Sequence, residues 1–193
     1  MRYNTMTTTT IRQIITLMRH PNALTVYRIA ATPGIVILLM FESRWTTFFA
    51  AWLFIAAAVT DFLDGFLARR RGLVSNLGKV LDPLADKVLV CSSLIMLSNL
   101  KWIPGWLVCI IIARELAVTG LRGISAEKID VSATQLGKFK TGFQIAAIIP
   151  LLFHYNYFGI NLHAIGTFLL WIALIFTLWS GVDYFKKFFK VIL

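Results

Sequence analysis

Three observations predict an all-α, polytopic membrane protein with six transmembrane helices behind an N-terminal interfacial amphipathic helix. Of the 193 residues, 58% are hydrophobic and only 15% charged, whereas an ordinary soluble domain is roughly half apolar and about a quarter charged. The mean hydropathy is +0.76, which calls for a solvent other than water. The apolar residues also run in long stretches broken by short charged ones. Crossing a bilayer takes about 20 mostly apolar residues, so the chain holds roughly six spans and almost no extramembrane domain.

Residues 1–20 form the first segment. Ile11, Ile14, Ile15 and Met18 recur at i, i+3, i+4 and i+7, with Arg12, Gln13 and Arg19 off that face. This is the pattern of a helix lying on a membrane surface; a disordered polar tail is the alternative. Thr7 to Thr10 precede it and no charged, apolar and small-residue cleavage pattern follows, so the segment is expected to stay attached. Residues 21–193 then make one six-span domain. Apolar length places the spans at Ala23 to Phe41, Thr46 to Phe66, Val80 to Leu97, Ile103 to Leu121, Phe139 to Tyr157 and His163 to Phe185. Cys91 and Cys109 fall inside apolar stretches and read as small buried hydrophobes. His20, His154 and His163 stand near span ends; interfacial packing is their default, and they are too scattered for a metal site.

Basic residues orient the spans, because short loops rich in Lys and Arg stay cytoplasmic. The segment through Arg28 holds four. The link after span two carries Arg69, Arg70, Arg71, Lys79 and Lys87, the link after span four carries Arg122, Lys128, Lys138 and Lys140, and the tail carries Lys186, Lys187 and Lys190. Only Arg44 and Lys101 oppose them. An even span number puts both termini and both basic links on one face, so the reading is a cytoplasmic (inner) membrane with those parts inside. Trp45, Trp102 and Trp106 then mark the other interface, and the cationic loops face anionic lipid. The net charge of +10 reflects this topology and implies no nucleic acid.

Asp61, Asp64, Asp82 and Asp86 are four of the nine acidic residues, gathered at the cytoplasmic ends of spans two and three. A charge inside a membrane helix costs a few kcal/mol or more, so such carboxylates mark function. Their i, i+3 and i, i+4 spacings put each pair on one face of its helix. If the two helices are adjacent, the four acids converge and are tolerable only with cations between them. All-oxygen ligation favours Mg²⁺ or Mn²⁺, and two ions about 4 Å apart are the arrangement used on phosphoryl groups. Gly65, Ala68 and Gly78 leave room for a ligand or neighbouring backbone, and Arg69 offers a planar fork to a phosphate. The alternative is a solvated network pairing the acids with Arg69, Arg70, Arg71, Lys79 and Lys87.

The string DFLDGFLARRRGLVSNLGKVLDPLAD, Asp61 to Asp86, resembles the CDP-alcohol phosphatidyltransferase family: it fits the signature D-x2-D-G-x2-A-R-x8-G-x3-D-x3-D at every fixed position. RELAVTGLR from Arg114 to Arg122, QLGKFKT from Gln135 to Thr141 and PNALTVYR from Pro21 to Arg28 resemble the branch of that family that uses glycerol 3-phosphate. The run from Gly159 to Trp179 carries no family signal. The resemblance implies displacement of CMP from CDP-diacylglycerol by an alcohol. It makes Asp61 and Asp82 bridges between two metals and gives Asp64 one ion. Asp86 would hold the other and take the proton of the attacking hydroxyl. It also assigns Gly65, Ala68, Arg69 and Gly78 to the CDP moiety, with the Ser75 hydroxyl on a phosphate and Asn22 to Thr25 (Asn22 and Thr25 above all) closing the nucleotide pocket. Relatives form homodimers, and by resemblance so does this chain.

A phosphorylated acceptor needs cations beyond the metals, and Arg114, Arg122, Lys138 and Lys140 are the candidates. Arg114 falls within a predicted span, which itself points to a pocket or a partner; for the others, cytoplasmic charge bias is the alternative. Glu115 reads as neutralising a neighbouring cation. Within the family, phosphatidylglycerol (as in cardiolipin synthases) and inositol phosphate are rival acceptors. From another class, a cation-coupled transporter could use intramembrane carboxylates, but such folds commonly show two related halves, and this acidic cluster has no counterpart after Leu100.

Overall fold

The computed structural model describes residues 21–71, 76–125, 135–157 and 159–192, with side chains described over 27–60, 84–121, 139–157 and 159–186. The amphipathic segment 1–20 and Ser75 lie outside the described residues. The architecture is all-helical: α1 (Pro21–Met40), α2 (Arg44–Arg71), α3 (Asn76–Asn99), α4 (Gly105–Ser125), α5 (Gln135–Phe153) and α6 (Leu162–Ile192). No strand occurs among the described residues; a single antiparallel bridge joins Tyr157 and Ile160, across a turn in which Gly159 takes φ 77°, a value glycine adopts without steric cost.

The helices start and stop for local reasons. Pro21 opens α1, where its missing N–H would have no intrahelical partner anyway. Before α2, Thr46 Oγ1 accepts the Ser43 N–H at 3.2 Å and donates to the Ser43 carbonyl at 2.9 Å, a reciprocal arrangement like a capping box. Asn161 Oδ1 accepts the Ala164 N–H at 3.0 Å and caps α6. Three helices end on a left-handed residue that is not glycine: Glu42 after α1, Lys101 after α3 and His154 after α5. At Lys101 the cap is a Schellman motif, with Trp102 N donating to Leu97 O at 3.0 Å and Lys101 N to Ser98 O at 2.9 Å.

Helices α5 and α6 share the most extensive interface, α1 packs on both α2 and α3, and α5 also meets α2 and α3. The buried centre includes Ile35, Leu39, Phe54, Leu94, Leu97, Leu107, Ile111, Ile148, Leu151 and Leu170. Gly166 sets the α5–α6 spacing, since a Cβ there would lie 2.9 Å from the Leu151 amide nitrogen and 3.1 Å from the Ala147 carbonyl. Phe143 of α5 stacks on Phe176 of α6 at 5.2 Å between centroids. Hydroxyls within helices bond back along the chain, as Thr32 Oγ1 does to the Arg28 carbonyl and Ser93 Oγ to that of Leu89, so they add no unsatisfied donor to an apolar environment.

The outer surface is apolar. Ile37, Trp45, Phe49, Trp52, Phe168, Trp171, Ile175 and Trp179 are all exposed, far more than water tolerates as contiguous patches. Among the described residues, Leu162–Lys186 is the one stretch long and apolar enough to cross a membrane, with shorter apolar stretches at Tyr27–Met40, Arg44–Thr60 and Phe139–Phe153.

Three expectations change. Arg69, Arg70, Arg71, Lys79, Arg122 and Lys138, expected between spans, all lie within helices α2 to α5. Hydropathy marks where a chain leaves apolar surroundings, but backbone hydrogen bonding continues past that point, and Arg and Lys are good helix formers. The fifth helix also stops at Phe153 rather than Tyr157, because His154 turns left-handed, with φ 52°. His154 and His163 are not scattered in space: their rings are 4.8 Å apart, and Trp102 stacks on His154 at 3.7 Å. The pair is edge-to-face, at 70°, which is packing rather than a convergence of lone pairs. His20 lies outside the described residues.

Candidate active site

Helix α2 carries Asp61, Asp64, Gly65, Ala68 and Arg69, and α3 carries Gly78, Asp82 and Asp86. Four residues, 72–75, separate the end of α2 from the start of α3, so each acidic pair keeps its helical register on one continuous helix. Among these positions the side chain of Asp86 is described, and it is half-buried. Asn22 and Thr25 fall in the first turns of α1, the helix packed against both α2 and α3. Arg122 stands near the end of α4 and Lys138 near the start of α5; their side chains, like those of the other motif positions, lie outside the described set.

The remaining two cations meet. Arg114 and Glu115 come from the middle of α4 and Lys140 from the first turns of α5. Glu115 Oε1 accepts from Arg114 NH1 at 3.2 Å and also from Lys140 Nζ. Arg114 NH2 donates to Ser180 Oγ of α6 at 2.6 Å. Glu115, Lys140 and Ser180 are buried, and the Arg114 side chain is 11% exposed. One turn deeper, Gln144 Nε2 donates to Thr177 Oγ1 at 3.4 Å, both residues fully enclosed. The polar side chains thus form a seam where α4, α5 and α6 come together.

That seam lies close to the acidic motif. Lys87, adjacent to Asp86 on α3, acts electrostatically on both Glu115 and Lys140. Cys91, one turn beyond Lys87, is within reach of Asp86, Lys87, Glu115 and Lys140 together. Among the described residues, Lys87, Arg114 and Lys140 thus set three cations around Glu115 and next to Asp86, a grouping able to receive a phosphate.

A family model described as CDP-alcohol phosphatidyltransferase matches residues 18–179. The chain belongs to that family. Curated relatives named CDP-diacylglycerol–glycerol-3-phosphate 3-phosphatidyltransferase match it along most of their length. The Bacillus subtilis (strain 168) protein is 42% identical over 180 residues, covering 86% of this chain and 93% of its own. That of Rickettsia bellii is 42% identical over 173 residues, with coverage of 86% and 93%. The Shigella flexneri relative is 36% identical over 171 residues, with coverage of 85% and 91%. Membership makes the chain a CDP-alcohol phosphatidyltransferase, an enzyme of lipid synthesis.

Sequence reasoning placed Arg114 and Lys140 among the cations but assigned nothing to Ser180, Gln144 or Thr177. Their signal was present as spacing: Lys140 and Gln144 are i, i+4 on α5, and Thr177 and Ser180 are i, i+3 on α6, so each pair shares a helical face in an otherwise apolar stretch.

Proposed function

We propose that the protein transfers the phosphatidyl group of CDP-diacylglycerol to sn-glycerol 3-phosphate, giving phosphatidylglycerophosphate and CMP, on the cytoplasmic face of a membrane that all six helices cross. The observation that carries this reading is the gathering of Arg114 and Lys140 around Glu115, within electrostatic reach of the Asp86–Lys87 turn. A soluble acceptor with its own phosphate needs such cations beside the transfer site; a lipid acceptor held by its chains needs them less. The names of the relatives support the same choice.

Asp61, Asp64, Asp82 and Asp86 would hold two divalent cations, Mg²⁺ or Mn²⁺, since a carboxylate-only donor set fits hard ions. Bound there, the ions supply charge that stabilises the departing CMP. The chain's own residues do the rest. Asp86 takes the proton from the acceptor hydroxyl. The freed oxygen bonds to the phosphorus that bears the diacylglycerol, and the bond from that phosphorus to the oxygen shared with the cytidine phosphate breaks, releasing CMP. Arg69 and Ser75 bind diphosphate oxygens, Gly65, Ala68 and Gly78 allow close approach, and Asn22 and Thr25 close the nucleotide side. Arg114, Arg122, Lys138 and Lys140 receive the acceptor phosphate. The apolar outer surface supports burial in a bilayer, and the protein acts there as a homodimer, by the family resemblance.

The test is CMP release from CDP-diacylglycerol by purified protein with Mg²⁺ or Mn²⁺, with glycerol 3-phosphate, phosphatidylglycerol or inositol phosphate as acceptor. Release with glycerol 3-phosphate alone is expected. Release with another acceptor overturns the assignment of the basic residues. No release with any acceptor, by folded protein, overturns the reaction and reopens cation-coupled transport.

A further inference from the structure

The run from Gly159 to Trp179, in which the sequence offered no family signal, is covered by the family match after all, and that match ends at residue 179, partway along α6. Two residues just beyond that limit nevertheless touch the arginine at the centre of the basic cluster. Ser180 Oγ accepts from Arg114 NH2 at 2.6 Å. Gly181 leaves space for the stem of the same side chain: a Cβ at Gly181 would stand 3.3 Å from Arg114 Cγ and 3.5 Å from its Nε. The other terminal nitrogen, NH1, is tied to Glu115 at 3.2 Å. The two terminal nitrogens are therefore held, one by Glu115 of α4 and one by Ser180 of α6, and the missing side chain at Gly181 gives the stem room to reach them.

An unrestrained arginine has many rotamers to lose when it grips an anion, whereas a pre-set planar fork gives up less freedom per hydrogen bond. We infer that Ser180 and Gly181 are positioning residues that preset the Arg114 guanidinium for the acceptor's phosphate, making the end of α6 a wall of the acceptor site. The inference rests on the acceptor reading of Arg114 given above. Neither residue supplies charge, so neither attracts the anion; they fix where the fork points. Thr177 stands one turn earlier on the same face, bonded to Gln144, so α6 is anchored to α5 next to the contact.

The experiment measures steady-state kinetics on the full-length protein in detergent micelles with CDP-diacylglycerol, varying each substrate in turn. Arg114→Ala is expected to raise the KM for glycerol 3-phosphate at least about tenfold. Ser180→Ala is expected to raise it about fivefold and Gly181→Ala about threefold, with the KM for CDP-diacylglycerol within twofold of the parent. Ser180→Thr, which keeps a hydroxyl, is expected to recover most of the loss. In the Arg114→Ala background Ser180→Ala should add nothing, because its effect passes through the arginine; a merely structural role would give the same added loss with or without Arg114. If Arg114→Ala leaves the KM unchanged, the acceptor reading falls and this inference with it. If Arg114→Ala raises the KM while Ser180→Ala and Gly181→Ala both leave it within twofold, the positioning role alone is overturned. Gly181→Ala retains the serine and its hydrogen bond, so the question stays answerable even if Ser180→Ala folds poorly.

Discussion

At one end of the bundle Arg44, Trp102, His154 and Tyr155 tie three interhelical loops together; away from it, from the middle of α4 onward, Arg114, Glu115, Lys140 and Ser180 tie three helices together. The first set works through rings and backbone. The Arg44 guanidinium lies 4.7 Å from the Tyr157 ring centroid and donates to the Asn156 carbonyl at 3.2 Å, Tyr155 donates to the Glu42 carbonyl at 3.3 Å, and Trp102 stacks on His154. The second set works through charge held out of water. Ring contacts are each worth about 1 kcal/mol and tolerate substitution, whereas a buried ion pair loses several kcal/mol when one partner goes. The aromatic end is therefore tolerant of change and the charged end intolerant, which is the division expected between a scaffold and a site.

The sharpest way to break this comparison is Asp86→Asn, which should cut CMP release about 10³-fold while thermal unfolding in detergent and CDP-diacylglycerol binding stay near the parent's. Near-normal turnover would remove Asp86 as the base. Next comes Glu115→Ala, which strands Arg114 and Lys140 without their shared carboxylate and should cost about 3 kcal/mol of stability. A melting temperature unchanged from the parent would show that the charged end is not held by this pair. At the aromatic end, Trp102→Leu should cost about 1 kcal/mol and leave both KM values within twofold; a kinetic effect there would erase the division between the ends. The smallest effect is a gain. Lys101 sits at φ 59°, where a side chain costs about 1–2 kcal/mol, and Lys101→Gly recovers this less the chain entropy of glycine, for a net of about 0.5 kcal/mol. A drop in melting temperature would mean that the lysine side chain contributes more than its backbone strain costs.

Much of this was legible in the sequence, for identifiable reasons. Helices α1 to α6 follow apolar runs, and a membrane's demand for uninterrupted apolar length makes those runs conspicuous. The acidic motif was legible because its spacing is fixed to the helical period. Helix ends were less so: nothing in the hydropathy around Arg69 or Lys138 says that the hydrogen-bonded backbone continues past the apolar stretch. The role of Ser180 was invisible because a lone serine in an apolar helix usually bonds to its own backbone, and only the approach of Arg114 from another helix distinguishes it. The meeting of His154 and His163 was hidden likewise, by a turn at Gly159 that folds the two helix ends together.

The pairing of Glu115 with Lys140 also bears on how the chain enters a bilayer. Alone, a membrane helix with an acidic residue at its centre meets a penalty of about 3 kcal/mol at insertion, and Glu115 stands midway along α4. Arg114, next to Glu115 on α4, already supplies it with a counter-charge, and Lys140 of α5 adds a second. Glu115 is thus paired within its own helix from the start, and Lys140 and Ser180 are later partners that α5 and α6 bring to an arginine and carboxylate already joined.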